Sequence, residues 1–454
     1  MPFTSINPTT GAMVATYSAH SQAEIEEILA HSATAFAEWR RTSVADRALL
    51  MTRAAEILES EVPVVAELMT SEMGKTFAAA KGEVGKCAMT MRYYAEHAAR
   101  FLATENVSTT ASDSGIRYEP LGGVLAIMPW NFPLWQAVRF AAPTLMAGNV
   151  GLLKHAENVP GVALYLEGLF RRSGFPRGVF SNLFLEIKDV ESVIADSRVA
   201  AVTLTGSERA GRSVAALAGR ALKKSVMELG GSDAFIVAGS ADMEHTVPLA
   251  VTARVQNNGQ SCIASKRFIV VRERADEFVE KFTAAMSAVV VGDPLSPATV
   301  VGPLVSAAQR DLLHAQVSDA LAKGARALCG GAPLDGPGFF YPPTVLVDVP
   351  ADSRAGSEEL FGPVAVIHVV EDLAEAVVLA NDTPWGLGAS IWATDSAEVD
   401  YAVGALEAGM VFANAVVAST PELPFGGVKN SGYGRELAAQ GIHEFTNAKT
   451  FFIA

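Results

Sequence analysis

Residues 123–133 read GVLAIMPWNFP, an apolar run of strand length that stops where two prolines bracket Trp130, Asn131 and Phe132. A short run of this kind, without the alternation of a half-exposed strand, fits a strand buried on both faces. Downstream the same signal recurs in VGLL (150–153), FSNLF (180–184) and AAVTL (200–204), with helical stretches such as 161–171 between the runs. Strand–helix alternation predicts a doubly wound parallel sheet. A second series starts near Asp233 with AFIVA, continues through FIVV (268–271) and ends near Val411. The fold class expected is therefore α/β, with two doubly wound domains in tandem.

Upstream of residue 123 the pattern is helical. Ser21 and Glu24 form a capping-box pair ahead of Ile25, Ile28, Leu29, Phe36 and Trp39, and Ser43 with Asp46 marks a second helix start. Residues 104–119 are polar and rich in threonine and serine. They fit a loop, or an exposed hairpin that needs a partner chain.

At 454 residues the chain is too long for one core. Hydrophobic residues make up 50% and charged residues 19%, an ordinary globular balance. No apolar run reaches the ~18 to 20 residues of a spanning helix, and residues 1–10 carry neither a basic flank nor an apolar stretch, so no membrane segment and no secretion signal is expected. The net charge of −14 argues against nucleic acid as a partner, because phosphate neutralisation needs a basic surface. Three widely spaced cysteines, Cys87, Cys262 and Cys329, suggest neither a disulfide framework nor a metal site, and point to a reducing cytoplasm.

Four segments carry chemistry. In NGQSC (258–262) a glycine and small polar residues let the backbone turn and leave the Cys262 thiol accessible. In MELGG (227–231) Glu228 stands between Met227 and Leu229; a carboxylate in apolar surroundings has a raised pKa, which suits a general base, although a capping or ion-paired glutamate fits the same residues. The two prolines of MPWNFP fix the direction of the Asn131 amide, as an oxyanion donor requires; read alone, Asn131 fits a turn equally well. TLTGS (203–207) ends a strand and opens a helix, and Gly206 and Gly211 there would let a phosphate approach the helix N-terminus. It is not the G-x-G-x-x-G fingerprint.

Together, and in this order, MPWNFP, LKHAE (153–157), TLTGS, ELGG, GQSC, EELFGP (358–363), LPFGG (423–427) and SGYGR (431–435) resemble the aldehyde dehydrogenase superfamily over almost the whole chain. Glu228 precedes Cys262 by 34 residues, which is also the superfamily's spacing. The resemblance implies that Cys262 attacks the aldehyde carbon, that Asn131 and the Cys262 N–H stabilise the oxyanion, and that Glu228 activates the water that hydrolyses the thioester. It places Lys154 and Glu157 by the adenosine ribose, Gly206 and Ser207 by the pyrophosphate, and Glu359 and Phe361 by the nicotinamide ribose, with Trp130 and Leu229 lining the same site. It also implies a cofactor-binding domain from 1–103 and 123–229, a catalytic domain from 230–416, and oligomerisation segments at 104–122 and 430–454, in a homodimer or homotetramer. Cys87 and Cys329 match no motif and read as structural.

Within the superfamily the likeness extends to short bacterial succinate-semialdehyde dehydrogenases. Arg139 and Ser419 match positions that hold the substrate carboxylate, and an arginine fork suits a carboxylate. Many relatives carry a second arginine where this chain has Gln256, and some have a cysteine where it has Ala264. The rival reading is a broad-range aldehyde dehydrogenase, with Phe132 and Trp135 lining an apolar tunnel and Arg139 in an internal ion pair. A CoA-acylating relative would usually lack Glu228, and a silent structural protein would not need Cys262, Glu228 and Asn131. A cysteine hydrolase would need a histidine beside Cys262. The dinucleotide is NAD or NADP. The short bacterial relatives often have serine at the position of Glu157 and lean toward NADP, but Glu157 can accept from ribose hydroxyls and repel a 2′-phosphate, so NAD is expected to be preferred over NADP.

Overall fold

The structure, a computed structural model, describes residues 3–454. The helices begin where the capping chemistry places them. Ser21 accepts from the Glu24 N–H in a complete capping box that opens helix Gln22–Trp39, and Ser43 accepts from the Asp46 N–H at the start of Val44–Ser60. Each satisfies an N–H that the first helical turn leaves free. Two short strands, Phe3–Ile6 and Met13–Tyr17, pair antiparallel ahead of them.

Two large sheets form. The first has the order Gly432–Tyr433, Lys224–Glu228, Val199–Thr205, Gly123–Ile127, Val150–Lys154, Phe180–Asn182. All neighbours are parallel except the first pair. The chain enters at Gly123–Ile127, moves outward through two strands, then returns to the other side with Val199–Thr205. This reversal opens a crevice at the carboxyl ends of the two central strands, where ligands bind in doubly wound folds. The second sheet runs Arg326–Cys329, Thr344–Val347, Val364–Val370, Arg267–Val271, Ala234–Val237, Gly388–Trp392, Met410–Ala413, with only its first pair antiparallel. The strands at 123, 150, 180, 199, 234, 267 and 410 lie where the apolar runs predict them.

Helix Pro133–Met146 is buried along its whole length. Pro133 starts it without wasting an N–H, and the carboxylate of buried Glu83 accepts from the N–H groups of Leu134 and Trp135 at 2.9 and 2.8 Å. Glu83 is in turn ion-paired with buried Lys75. The helix that carries Arg139 is thus anchored at its first turn by a neighbouring helix, and the MPWN turn before it is held between that anchor and the strand.

The third sheet pairs Asp113–Pro120 with Glu105–Asn106 on one side and Thr446–Ile453 on the other. Residues 113–120 are a strand rather than a loop. The segment 430–454 divides: Gly432–Tyr433 joins the edge of the first sheet, and only Thr446–Ile453 belongs to the extension. No helix among the described residues is long and apolar enough to cross a membrane.

Candidate active site

The loop that carries Cys262 is strained and tightly held. Asn257, Asn258 and Gly259 have φ of 54°, 60° and 72°, three successive left-handed residues. Asparagine tolerates this region better than most residues, but a run of three is costly without support. The support is side-chain to backbone. Asn258 Nδ2 donates to the carbonyls of Gly74 and Pro303, and its Oδ1 accepts from the Gly302 N–H. Gln260 Oε1 accepts from the Val305 N–H, and Arg254 donates to the carbonyls of Ser265 and Gly259. Lys266 Nζ donates to the Ser261 and Cys262 carbonyls at 3.0 and 2.5 Å. A side chain at Gly259 would lie 2.3 Å from the Gly362 carbonyl carbon, so only glycine fits there.

Two cavities meet at Cys262. The larger, about 270 Å³, lies at the crevice of the first sheet, and its walls include Trp130, Asn131, Gly206, Ser207, Leu229, Glu359 and Phe361. The smaller, about 100 Å³, is walled by Lys86, Phe132, Trp135, Arg139, Gln256 and Ser419 among others. Cys262 lines both. A thiol that lines both the cleft and the smaller cavity can reach a reactant held in either.

Asn131 is buried, and its Nδ2 donates to the Gln260 carbonyl at 3.0 Å, while Asn257 Nδ2 donates to the Asn131 carbonyl at 2.8 Å. The amide is fixed beside the cysteine loop and keeps a second N–H. Burial raises the Cys262 thiol to about 12, while Lys266 and Arg139 pull it down. Glu228 ends strand Lys224–Glu228, is buried, and has no hydrogen-bond partner on either carboxylate oxygen. Burial raises its pKa well above the usual carboxylate range, and the charge of Glu436 raises it further. It does not line either cavity but stands behind them, against Gly426.

In the cleft, Trp130 and Phe361 meet edge to face with centroids 5.6 Å apart. Glu359 Oε1 accepts from the Gly231 N–H at 3.2 Å and pairs with Lys266 at 3.2 Å, so Lys266 ties the Glu359 wall to the cysteine loop. Ser207 caps helix Glu208–Arg220. Gly206 opens onto the cleft, but Gly211 does not serve it: a Cβ there would lie 2.4 Å from Leu229 Cδ2, so Gly211 is small to seat Leu229. Lys154 is buried, with its Nζ 3.4 Å from the His155 carbonyl, whereas Glu157 is exposed on the turn that follows. Among the described residues no cluster of acidic, histidine or cysteine side chains is arranged to hold a metal.

The sequence model described as "Aldehyde dehydrogenase family" matches residues 1–451. The chain belongs to the aldehyde dehydrogenase family. It is 54% identical to the succinate-semialdehyde dehydrogenase [NADP(+)] of Mycobacterium avium, covering all of this chain and 97% of that one. It is equally similar to the succinate-semialdehyde dehydrogenase [NADP(+)] 1 of Mycobacterium tuberculosis H37Rv, over the full length of both. Among solved structures, succinic semialdehyde dehydrogenase from Streptococcus pyogenes in complex with NADP+ superposes with a TM-score of 0.97 at 38% identity, covering 99% of each chain. Gox0499 superposes at 0.99 with 42% identity over both full lengths. The two mycobacterial enzymes are named for NADP and the streptococcal enzyme was solved with it, which lends no support to a preference for NAD; a more distant relative, PnpE, at 31% identity, was solved with NAD.

For an aldehyde dehydrogenase the substrate side of this site holds a surprise. Arg139 is not a free cation: its guanidinium is ion-paired with buried Glu436, donates to Thr205 Oγ1 at 3.3 Å and lies 4.4 Å from the Phe425 ring centroid. Arg139 still lines the short cavity where a substrate carboxylate was expected, with the Nε side of its guanidinium taken by Glu436. Glu436 follows SGYGR directly, one residue beyond the quoted motif, and Lys86 lies in a helix that carries no motif. Neither has a sequence signal of its own; the first could have been found by extending the motif by one residue.

Proposed function

We propose that this aldehyde dehydrogenase oxidises succinate semialdehyde to succinate with NADP. The observation that carries the reading is the meeting at Cys262 of a cleft lined like a dinucleotide site and a short cavity with cationic walls. The similarity to relatives named for this reaction supports it. Arg139's engagement with Glu436 favours a broad-range enzyme instead, and a substrate panel separates the two. On the proposed reading kcat/KM for succinate semialdehyde exceeds that for butyraldehyde at least tenfold; equal values would establish the broad-range enzyme.

The residues present fit a dinucleotide. Gly206 leaves its side open, Ser207 caps the helix behind it, Lys154 supplies a buried ammonium, and Trp130, Leu229 and Phe361 form apolar walls. When bound, the nicotinamide supplies the hydride acceptor. Cys262 gives its proton to solvent water and its thiolate attacks the aldehyde carbon, while the Asn131 N–H donates to the oxygen as it takes negative charge. Loss of hydride leaves a thioester on Sγ. Glu228 then removes a proton from water, which displaces the thiol and releases the carboxylic acid.

Because Glu436 raises the pKa of Glu228, the Glu436→Gln variant should lower it, and freeing Arg139 acts in the same direction. Thioester hydrolysis rises with pH as Glu228 loses its proton, so this rise should move to lower pH in the variant. Single-turnover hydrolysis measured against pH checks it; an unmoved profile would remove Glu228 as the titrating group.

The cofactor assignment sets the relatives against Glu157. Glu157 is exposed, so its carboxylate can turn into solvent while Lys154 meets a 2′-phosphate. A residual repulsion of about 1 kcal/mol, roughly fivefold, is what two such charges retain in high dielectric. The parent should therefore favour NADP, and Glu157→Ser should improve kcat/KM for NADP severalfold. A parent that favours NAD would restore Glu157 as the determinant.

The extension sheet ends on Thr446–Ile453, an edge strand that exposes Phe452 and Ile453. Unpaired strand edges recruit further strands, and a second copy of this chain is the expected partner. Three unpaired cysteines suit a reducing cytoplasm.

A further inference from the structure

Four residues beyond Cys262 stands a lysine that none of the quoted motifs contains. Lys266 immediately precedes strand Arg267–Val271, and its backbone is locked into the second sheet. Its N–H donates to the Asp233 carbonyl at 3.0 Å, and its carbonyl accepts from the Val366 N–H at 2.9 Å. From that fixed root the side chain, 1% exposed, turns back onto the cysteine loop. There Nζ donates to the Ser261 and Cys262 carbonyls and pairs with Glu359. An ammonium has three N–H donors, and these three acceptors take one each. The charge is therefore held in one position, hydrogen-bonded to the backbone of Cys262 itself.

Other charges face Cys262 from the elements packed around its loop. Burial raises the thiol, Lys266 and then Arg139 lower it, and Glu359 and Asp233 raise it. Arg139 is matched by Glu436. Lys86 feels the same thiol, but burial pushes it down to about 8, so its charge fades over the range in which a thiol ionises. Arg254, pushed down to about 9 by burial, bonds the Ser265 and Gly259 carbonyls on either side of Cys262. Asp233, pushed up to about 7 by burial, gains its charge only around neutrality. Lys266 is the cation bonded to Cys262. A tie that served only to fix the loop could be made by a neutral donor, as Asn258 and Gln260 are, without the cost of burying a charge.

We propose that Lys266 is the positioning residue that sets the reactivity of the Cys262 thiol, its fixed charge favouring the thiolate while Glu359, paired with the same ammonium, opposes it. The inference rests on the reading of Cys262 as the nucleophile. Lys266 lines neither cavity, so it acts through the loop and its field rather than on the aldehyde or the dinucleotide. When the thiol ionises its proton passes to solvent water, and the charge left on Sγ is the one that burial disfavours and a nearby cation restores.

The test is alkylation of Cys262 by iodoacetamide in the full-length, cofactor-free protein, from about pH 6 to about pH 9. Sγ forms the new S–C bond as iodide leaves, and peptide mass spectrometry reads Cys262 apart from Cys87 and Cys329. The proteins compared are the parent, Lys266→Gln, Lys266→Arg and Glu359→Gln. Glutamine can still donate to a loop carbonyl but carries no charge. Lys266→Gln should raise the ionisation of Cys262 by about one pH unit or more. Alkylation at fixed pH should then slow about three- to tenfold, the smaller figure because a more basic thiolate attacks faster. Glu359→Gln should speed it by a similar factor, and Lys266→Arg should restore much of the parent rate. A role confined to holding the loop would lower the melting temperature without moving these rates in opposite directions. An unmoved rate in folded Lys266→Gln overturns the inference, and so does slower alkylation in Glu359→Gln. Should Lys266→Gln fail to fold, Glu359→Gln decides: faster alkylation supports the inference and an unmoved rate overturns it. A parent that keeps its turnover after Cys262 is alkylated overturns the reading of the nucleophile, and the inference with it, before any variant is made.

Discussion

Replacing Cys262 by alanine should reduce aldehyde oxidation by about 10⁵-fold or more, the scale on which enzymes lose turnover when a nucleophile is removed. The loss should fall on kcat, because neither cavity depends on the thiol for its shape. The loop is held by Asn258 and Gln260, which bond backbone atoms of Gly74, Gly302, Pro303 and Val305, and by Arg254 and Lys266, which donate to carbonyls around Cys262. Alanine leaves all of these in place, so the variant should melt within a few degrees of the parent and still bind dinucleotide. Cys87 and Cys329 provide the contrast. Cys87 is fully buried in the core of the helical layer, and Cys329 sits on the antiparallel edge strand of the second sheet, so Cys329→Ser should leave turnover within a factor of two. Turnover of the Cys262→Ala variant within tenfold of the parent would remove Cys262 as the nucleophile.

Glu228→Gln should produce a different failure. Glutamine matches the carboxylate in size and removes a buried group whose two oxygens have no partner, so the fold should be unharmed or slightly stabilised. Acylation of Cys262 should proceed through its first hydride transfer, since Asn131 and the thiol are untouched. Hydrolysis should then slow by 10²- to 10⁴-fold, the range of a general base. The expected observation is a burst of reduced dinucleotide close to one equivalent per site, followed by near arrest, with the acyl adduct on Cys262 seen by mass spectrometry. Slow turnover without burst or adduct would mean that Glu228 acts before the thioester, in deprotonating the thiol, a role that the upward shift of Cys262 to about 12 leaves chemically open.

Much of this protein was settled along the chain. Apolar runs at 123, 150, 180 and 200 determined a parallel sheet because strands buried on both faces have no polar side to alternate with. Ser21, Glu24, Ser43 and Asp46 placed two helix starts because capping is a contact over three residues. The motifs brought Cys262 and Asn131 to one cleft, with Glu228 behind it, because Asn131 follows strand Gly123–Ile127, Glu228 ends strand Lys224–Glu228 and Cys262 lies in a glycine-containing loop, where local sequence sets the backbone. What local sequence could not decide is which charges meet. Arg139 and Glu436 are 297 residues apart in the chain and Lys86 and Ser419 are 333 apart, yet each pair is in contact. Those pairings arise only when the helical layer, the first sheet and the C-terminal loops pack together. The assignment of a buried charge depends on its partner across the fold rather than on its neighbours in the chain. The same holds for Gly211, whose lack of a side chain looked like room for a phosphate and serves to seat Leu229. It holds again for residues 430–454, which divide between two sheets because strand pairing is decided by whichever edge is free and in reach.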